Sequence, residues 1–184
     1  GSYTLTASAP FHWPLSRVVD VDRSQRQDFA LEPTPCLLVV DDDFDNEGHA
    51  YDDQAYYTRT LESLNVSYDV WSVPDDVNGP PLDKLRQYRG VVWLTGRDWD
   101  NTLTAADQAA LTAYLDGGGR LFVSGQDIGW DIAREGEPPF YRDYLHADYL
   151  ADDSTYNELT GAGFLNGITV TLQGGDGANN QDFP

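Results

Sequence analysis

Two places in this sequence put carboxylates where chemistry is done. The first is Asp41-Asp-Asp43, followed by Asp45 and, further on, Asp52. Asp41, Asp43 and Asp45 stand at alternate positions and Asp52 at the twelfth, the oxygen spacing with which a calcium loop surrounds a hard cation. Asn46 takes the place where such a loop carries glycine, and asparagine tolerates left-handed backbone. Calcium is the ion this spacing would hold; the competing reading is a solvated acidic loop with Asp52 or Asp53 capping a helix. The same acids suit a second chemistry, in which Asp41 is a nucleophilic carboxylate and Asp43 the acid two residues on.

The second place is the stretch from Gly119 to Ile132, where the apolar run Leu121-Phe-Val123 breaks at Ser124-Gly125 and restarts as a helix near Asp127. This pattern predicts a strand, an elbow and a helix, with Gly125 allowing the reversal. A helix start at a strand end offers unpaired N–H groups, so ligands and reacting groups gather there. Asp127 is the candidate for acid, base or nucleophile, since no Ser or Cys lies between Gly125 and Gly129. Around it, Ser124, Gly125, Gln126 and Trp130 from the elbow are expected to form a ligand crevice. Gly96, Arg97 and Trp99, after the preceding strand, supply its other side. His12, His49 and His146 lie apart, with no metal spacing. Cys36 begins the apolar run Cys36-Leu-Leu-Val-Val40 and is expected to be a buried, inert thiol.

Composition narrows the partners. Asp and Glu number 31 against 11 Lys and Arg, a formal net charge of -20, which repels nucleic acid and anionic membranes. No apolar run approaches the ~20 residues of a membrane span. One cysteine allows no internal disulfide. There is no methionine, Lys84 is the single lysine, and Gly1-Ser2 looks like a cloning remnant. The chain therefore reads as a segment of a longer protein, and its acidic, aromatic-rich, lysine-poor composition suggests an extracellular, secreted one. Its partners would be the other domains of that parent chain.

These residues need elements to hold them. Residues 1–34 show short alternating stretches at Tyr3–Thr6, Arg17–Val21 and Asp28–Leu31, a β-rich lead-in closed by the stiff linker Glu32-Pro-Thr-Pro35. From 35 to 173 strands and helices alternate. Strands are expected at Leu37–Val40, Val66–Trp71, Gly90–Thr95 and the elbow strand. A helix should begin near Tyr51, presenting Tyr57, Leu61 and Leu64, with a helical turn over Leu82–Tyr88. Another helix follows Thr104, which Asp107 completes as a capping box. Later come a short helix over Phe140–Leu145 and a strand over Gly167–Leu172. The sum is an α/β fold with a mostly parallel sheet between helical layers. Residues 174–184 have the composition of a flexible tail or linker, with only a superficial likeness to one glycine-aspartate calcium repeat.

Three resemblances follow. Leu38-Val-Val-Asp-Asp-Asp43 resembles the start of a bacterial receiver domain, whose phosphate acceptor would fall at the end of the third strand, where Thr95-Gly96 stands. Asp41 with Asp43, Thr95, and Asp127 with Asp131 resemble the motifs of haloacid-dehalogenase-type phosphatases, which also require a lysine that here, as Lys84, precedes Thr95. Leu37 to Ile132 as a whole is similar to the class I glutamine amidotransferase-like fold, a flavodoxin-like three-layer sandwich with a nucleophile elbow. There Asp127 falls at the position of the catalytic cysteine and Gly96 in the oxyanion glycine loop. The combination of Leu37–Asp43, Trp93-Leu-Thr-Gly96 and Phe122–Gly129 resembles degenerate domains of this kind found as accessory modules in large secreted bacterial proteins, peptidases among them. That likeness implies a non-catalytic binding or structural module, with calcium as its expected stabilising ion. The alternative is a hydrolase with an acidic site at Asp127 or at Asp41 and Asp43.

Overall fold

The computed structural model describes residues 1–9, 11–43, 53–74, 77–134, 139–150 and 158–171. Two antiparallel strands open it, β1 (Ser2–Ala7) and β2 (Leu15–Asp20). The central unit follows as β3 (Leu37–Asp41), α1 (Gln54–Ser63), β4 (Tyr68–Ser72), α2 (Leu82–Leu85), β5 (Gly90–Gly96), α3 (Ala105–Asp116), β6 (Leu121–Gly125), α4 (Ile128–Arg134) and α5 (Pro139–Asp143). A second hairpin, β7 (Glu158–Thr160) and β8 (Thr169–Thr171), ends the described chain. Asp28–Leu31, expected as extended lead-in, pairs with no strand among the described residues.

β3 to β6 form one sheet in the order β4-β3-β5-β6 with every pair parallel. Numbered within the unit this is the doubly wound order 2-1-3-4, whose direction reverses between β3 and β5. Right-handed crossovers then place α1 on one face and α2 and α3 on the other. Ring contacts agree. Tyr57 of α1 meets Phe122 of β6 at 6.4 Å on the first face. On the second, Leu38, Val40, Val91 and Trp93 of the sheet pack with Leu85, Tyr88, Leu111 and Tyr114, and Ile128, Ile132 and Phe140 extend that core. The two faces are covered unequally. Val39 under α1 is fully buried, while Phe122 keeps 57% exposure at the sheet's edge.

Local sequence explains most of these elements. Thr104 accepts a bond from the Asp107 N–H, and Asp107 accepts from the Thr104 N–H at 3.0 Å, the expected capping box. Asp107 is also buried and takes the Gly79 N–H at 2.8 Å, tying the segment after β4 to the start of α3. α1 departs from its expected stripe: Thr58 is its buried residue and Leu64, just past its end, is 65% exposed. Thr58 returns its hydroxyl to the Gln54 carbonyl, so a small residue can face the sheet without an unsatisfied polar group.

Cys36 corrects another expectation, because its side chain is exposed. It lies just before β3, where its N–H donates to the Ser67 hydroxyl oxygen at 3.1 Å, and the buried run starts only at Leu38. The lead-in is fastened nearby. Lys84 lies 4.9 Å from the Trp13 ring and 5.0 Å from that of Tyr88. Its ammonium donates to the Tyr88 hydroxyl at 2.7 Å, which donates in turn to Asp69 at 2.6 Å. Thr34 adds a 2.6 Å bond to the Gln87 carbonyl.

Candidate functional site

Parallel strands bring their C-terminal ends to one edge, so Asp41, Gly96 and Gly125 finish β3, β5 and β6 side by side. The order in which strands are added reverses here, between β3 and β5, the point of a doubly wound sheet at which ligand crevices form. Two of the strand-end loops are laced together there. The Asp42 N–H donates to the Leu94 carbonyl at 2.9 Å, and the Gln126 N–H to that of Gly96 at 3.0 Å.

The elbow is strained at one residue. Asp127 has φ 53°, and the Ile128 N–H donates to the Gln126 carbonyl at 2.6 Å, closing a three-residue turn around Asp127. A γ-turn with positive φ is rare and costs energy in any residue with a side chain. Aspartate is one of the few that tolerate it. The Asp127 carbonyl then accepts the Asp131 N–H at 2.8 Å and starts α4, while its carboxylate accepts from Gln126 Nε2 at 3.0 Å. Gly125 is required beneath, since a Cβ there would overlap the buried Thr95 hydroxyl. Gly96 is required opposite. It has φ 52°, and a Cβ would come within 2.7 Å of the Asp43 Cβ.

The strand-end acids have separate partners. Asp41, buried, faces the Ser72 hydroxyl at 3.4 Å, and Asp43, also buried, accepts the Asp53 N–H at 3.0 Å ahead of α1. Asp45 and Asp52 lie outside the described residues, as does His49. Among the described residues no three metal-ligating side chains converge. Asp42 sits on the α2 and α3 side, where it accepts the indole N–H of the buried Trp93 at 2.8 Å. Burial pushes its carboxyl from 3.8 up to about 7, helped by Asp107, Asp98 and Asp41 and opposed by the Trp93 bond. On the α1 face, burial raises the Tyr57 phenol, with Asp53 and Asp43 helping, against the lowering effect of its bond with Ser124.

The far wall is built by α4. Asp131, buried, takes both the N–H and the hydroxyl of Thr102, at 2.8 and 2.9 Å, and pairs with Arg134 at 2.8 Å. Arg134 also pairs with Asp100 and lies 4.5 Å over the Trp130 ring. Trp130 meets Trp99 at 6.3 Å and 58°. The loop after β5 is thereby clamped onto the elbow helix. Of the expected crevice residues, Gly96, Gln126 and Asp127 meet through hydrogen bonds around the elbow, and Trp99 with Trp130 forms its rim. Ser124 turns instead to α1.

Sequence reasoning passed over Asp42, Tyr57 and the structural use of Asp131. The Asp131 and Arg134 spacing of three on a helix was a readable signal. Nothing in the sequence linked Asp42 to Trp93, which lies 51 positions away. Chemically, the site offers a positioned carboxylate at the elbow, an uncharged carboxyl at Asp42 below pH 7, and two indoles. His12 bridges to Pro33 in the lead-in, and Cys36 stands before β3, at the opposite end of the strands from the elbow. The chain matches no protein-family model, no curated protein and no solved structure.

Proposed function

We propose that this chain is a non-catalytic accessory module of a larger secreted protein, a degenerate relative of the class I glutamine amidotransferase-like fold that binds or braces rather than reacts. The observation that carries this reading is the occupant of the elbow. The one strained position of the strand-to-helix turn holds Asp127, whose carboxylate is engaged by Gln126. A carboxylate is a weak nucleophile unless a second group activates it or neutralises its product. The Gln126 amide that bonds it orients the carboxylate and transfers no proton. Asp131, which could have formed an acidic pair with it, is committed to Thr102 and Arg134. Covalent capture tests the reading. Peptide mass mapping after exposure to activated acyl and phosphoryl donors should find Asp127 and Asp41 unmodified, and an adduct on Asp127 or Asp41 would overturn it.

Calcium belongs to the same proposal. Asp41 at the end of β3 and Asp43 just after it are buried carboxylates in an acidic chain, and an ion shared with Asp45 and Asp52 would relieve their mutual repulsion. Calcium should then raise the melting temperature well beyond sodium at equal ionic strength. A melting temperature unmoved by chelation and by Asp43→Asn would remove calcium from the account and leave the rest standing.

A further inference from the structure

We infer that the corner formed by Trp99 and Trp130 takes a cationic side chain, a guanidinium above all, from a basic peptide segment of a partner; this rests on the reading of the chain as a binding module. The two indoles meet at 6.3 Å and 58°, a tilted ring contact that leaves the outer face of Trp99 to solvent. Arg134 already shows what such a wall accepts. Its guanidinium lies 4.5 Å over Trp130 and is neutralised by Asp100 and Asp131. Among the described residues no cation covers Trp99, which remains 59% exposed, a large aromatic surface in water. Indole is the best of the aromatic faces for a cation, and arginine its commonest partner.

Charge selects the same ligand. The segments that carry the two indoles hold four carboxylates, Asp98, Asp100, Asp127 and Asp131, against the two guanidinium groups of Arg97 and Arg134. The local excess is negative, and so is the chain as a whole at -20. An incoming cation is drawn in over the range of the Debye length and finds an indole face at the end of its path. A phosphorylated, sulfated or nucleic-acid ligand meets the opposite field.

The test uses a capped peptide, Gly-Arg-Gly-Arg-Gly, and its citrulline counterpart, which keeps the shape and loses the charge. Calorimetric titration of the whole chain at low salt should show binding of the arginine peptide. It should be at least tenfold weaker for the citrulline peptide and at least tenfold weaker in Trp99→Ala, with Trp99→Phe recovering part of the loss. Tyr56→Ala, on exposed α1, should bind as the wild type does. No binding, equal binding of both peptides, or binding unchanged by Trp99→Ala would overturn the inference, the last showing only general attraction to an acidic surface. A neutral oligosaccharide bound at Trp99 in preference to the arginine peptide would overturn it too. Cleavage or acylation of either chain would instead strike at the non-catalytic reading.

Discussion

Asp127 and Asp42 are single residues whose surroundings oppose their ordinary preferences, and each opposition can be measured. At φ 53° Asp127 sits where glycine is at ease and a β-branched side chain is not. Asp127→Gly should therefore be as stable as the wild type in urea, whereas Asp127→Val should lose about 2 kcal/mol. Equal stability of the two variants would mean that the turn relaxes in solution. Asp42 holds its proton more tightly in the folded chain, up to about 7 against 3.8. A raised folded value makes the group's stabilising contribution complete below pH 4 and removes it as pH rises through 7. From pH 5 to pH 8, then, Asp42→Asn should gain on the wild type by about 1–2 kcal/mol at fixed ionic strength. A difference that stays flat across that interval would show that Asp42 ionises freely.

At the scale of elements, Asp107 joins two of them. It closes the capping box of α3 and holds the Gly79 N–H from the segment after β4. Asp107→Ala removes the cap and leaves the half-buried Gly79 N–H without its acceptor, so it should cost about 2–3 kcal/mol in unfolding free energy, more than a cap alone. A loss under about 1 kcal/mol would mean that water replaces the carboxylate there. The elements themselves were legible in the sequence because the apolar runs at Leu37, Gly90 and Leu121 are short, separated and bounded by glycine, proline or acids. The elbow was legible for the same reason, and the capping box had its two residues at the required spacing. What could not be read was pairing at long range: which face Asp42 takes, that Tyr57 reaches Ser124, that Asp131 holds Thr102. Those depend on the sheet order, which brings distant segments together after the local patterns have been spent. Cys36 and Leu64 were misplaced because each sits one step beyond its element, where the apolar pattern continues and the burial stops.

Over the whole molecule, cation–ring contacts fasten the lead-in to the α/β unit, with Arg89 5.2 Å over Phe11 and Lys84 4.9 Å from Trp13. Lys84 is the chain's one lysine and is enclosed by Trp13, Trp71 and Tyr88. Amine-reactive reagents can label only it and the N-terminus, so Lys84 labelling reports whether the β1 and β2 hairpin is seated. Lys84→Met should speed amide exchange in β1 and β2 and leave β3 and β5 protected, since the main core lies elsewhere. Loss of protection throughout would show the hairpin and the sheet to be one cooperative unit. The molecule thus combines a rigid parallel sheet, a strained elbow and an acidic, aromatic rim, and the central claim is that this edge binds and does not catalyse. Steady-state hydrolysis of activated carboxyl esters, phosphate monoesters and glutamine tests it most directly, measured side by side for the wild type, Asp127→Asn and Asp41→Asn. The account predicts rates at the buffer background and the same in all three proteins. Turnover by the wild type that disappears in Asp127→Asn or Asp41→Asn, with folding intact, would contradict it.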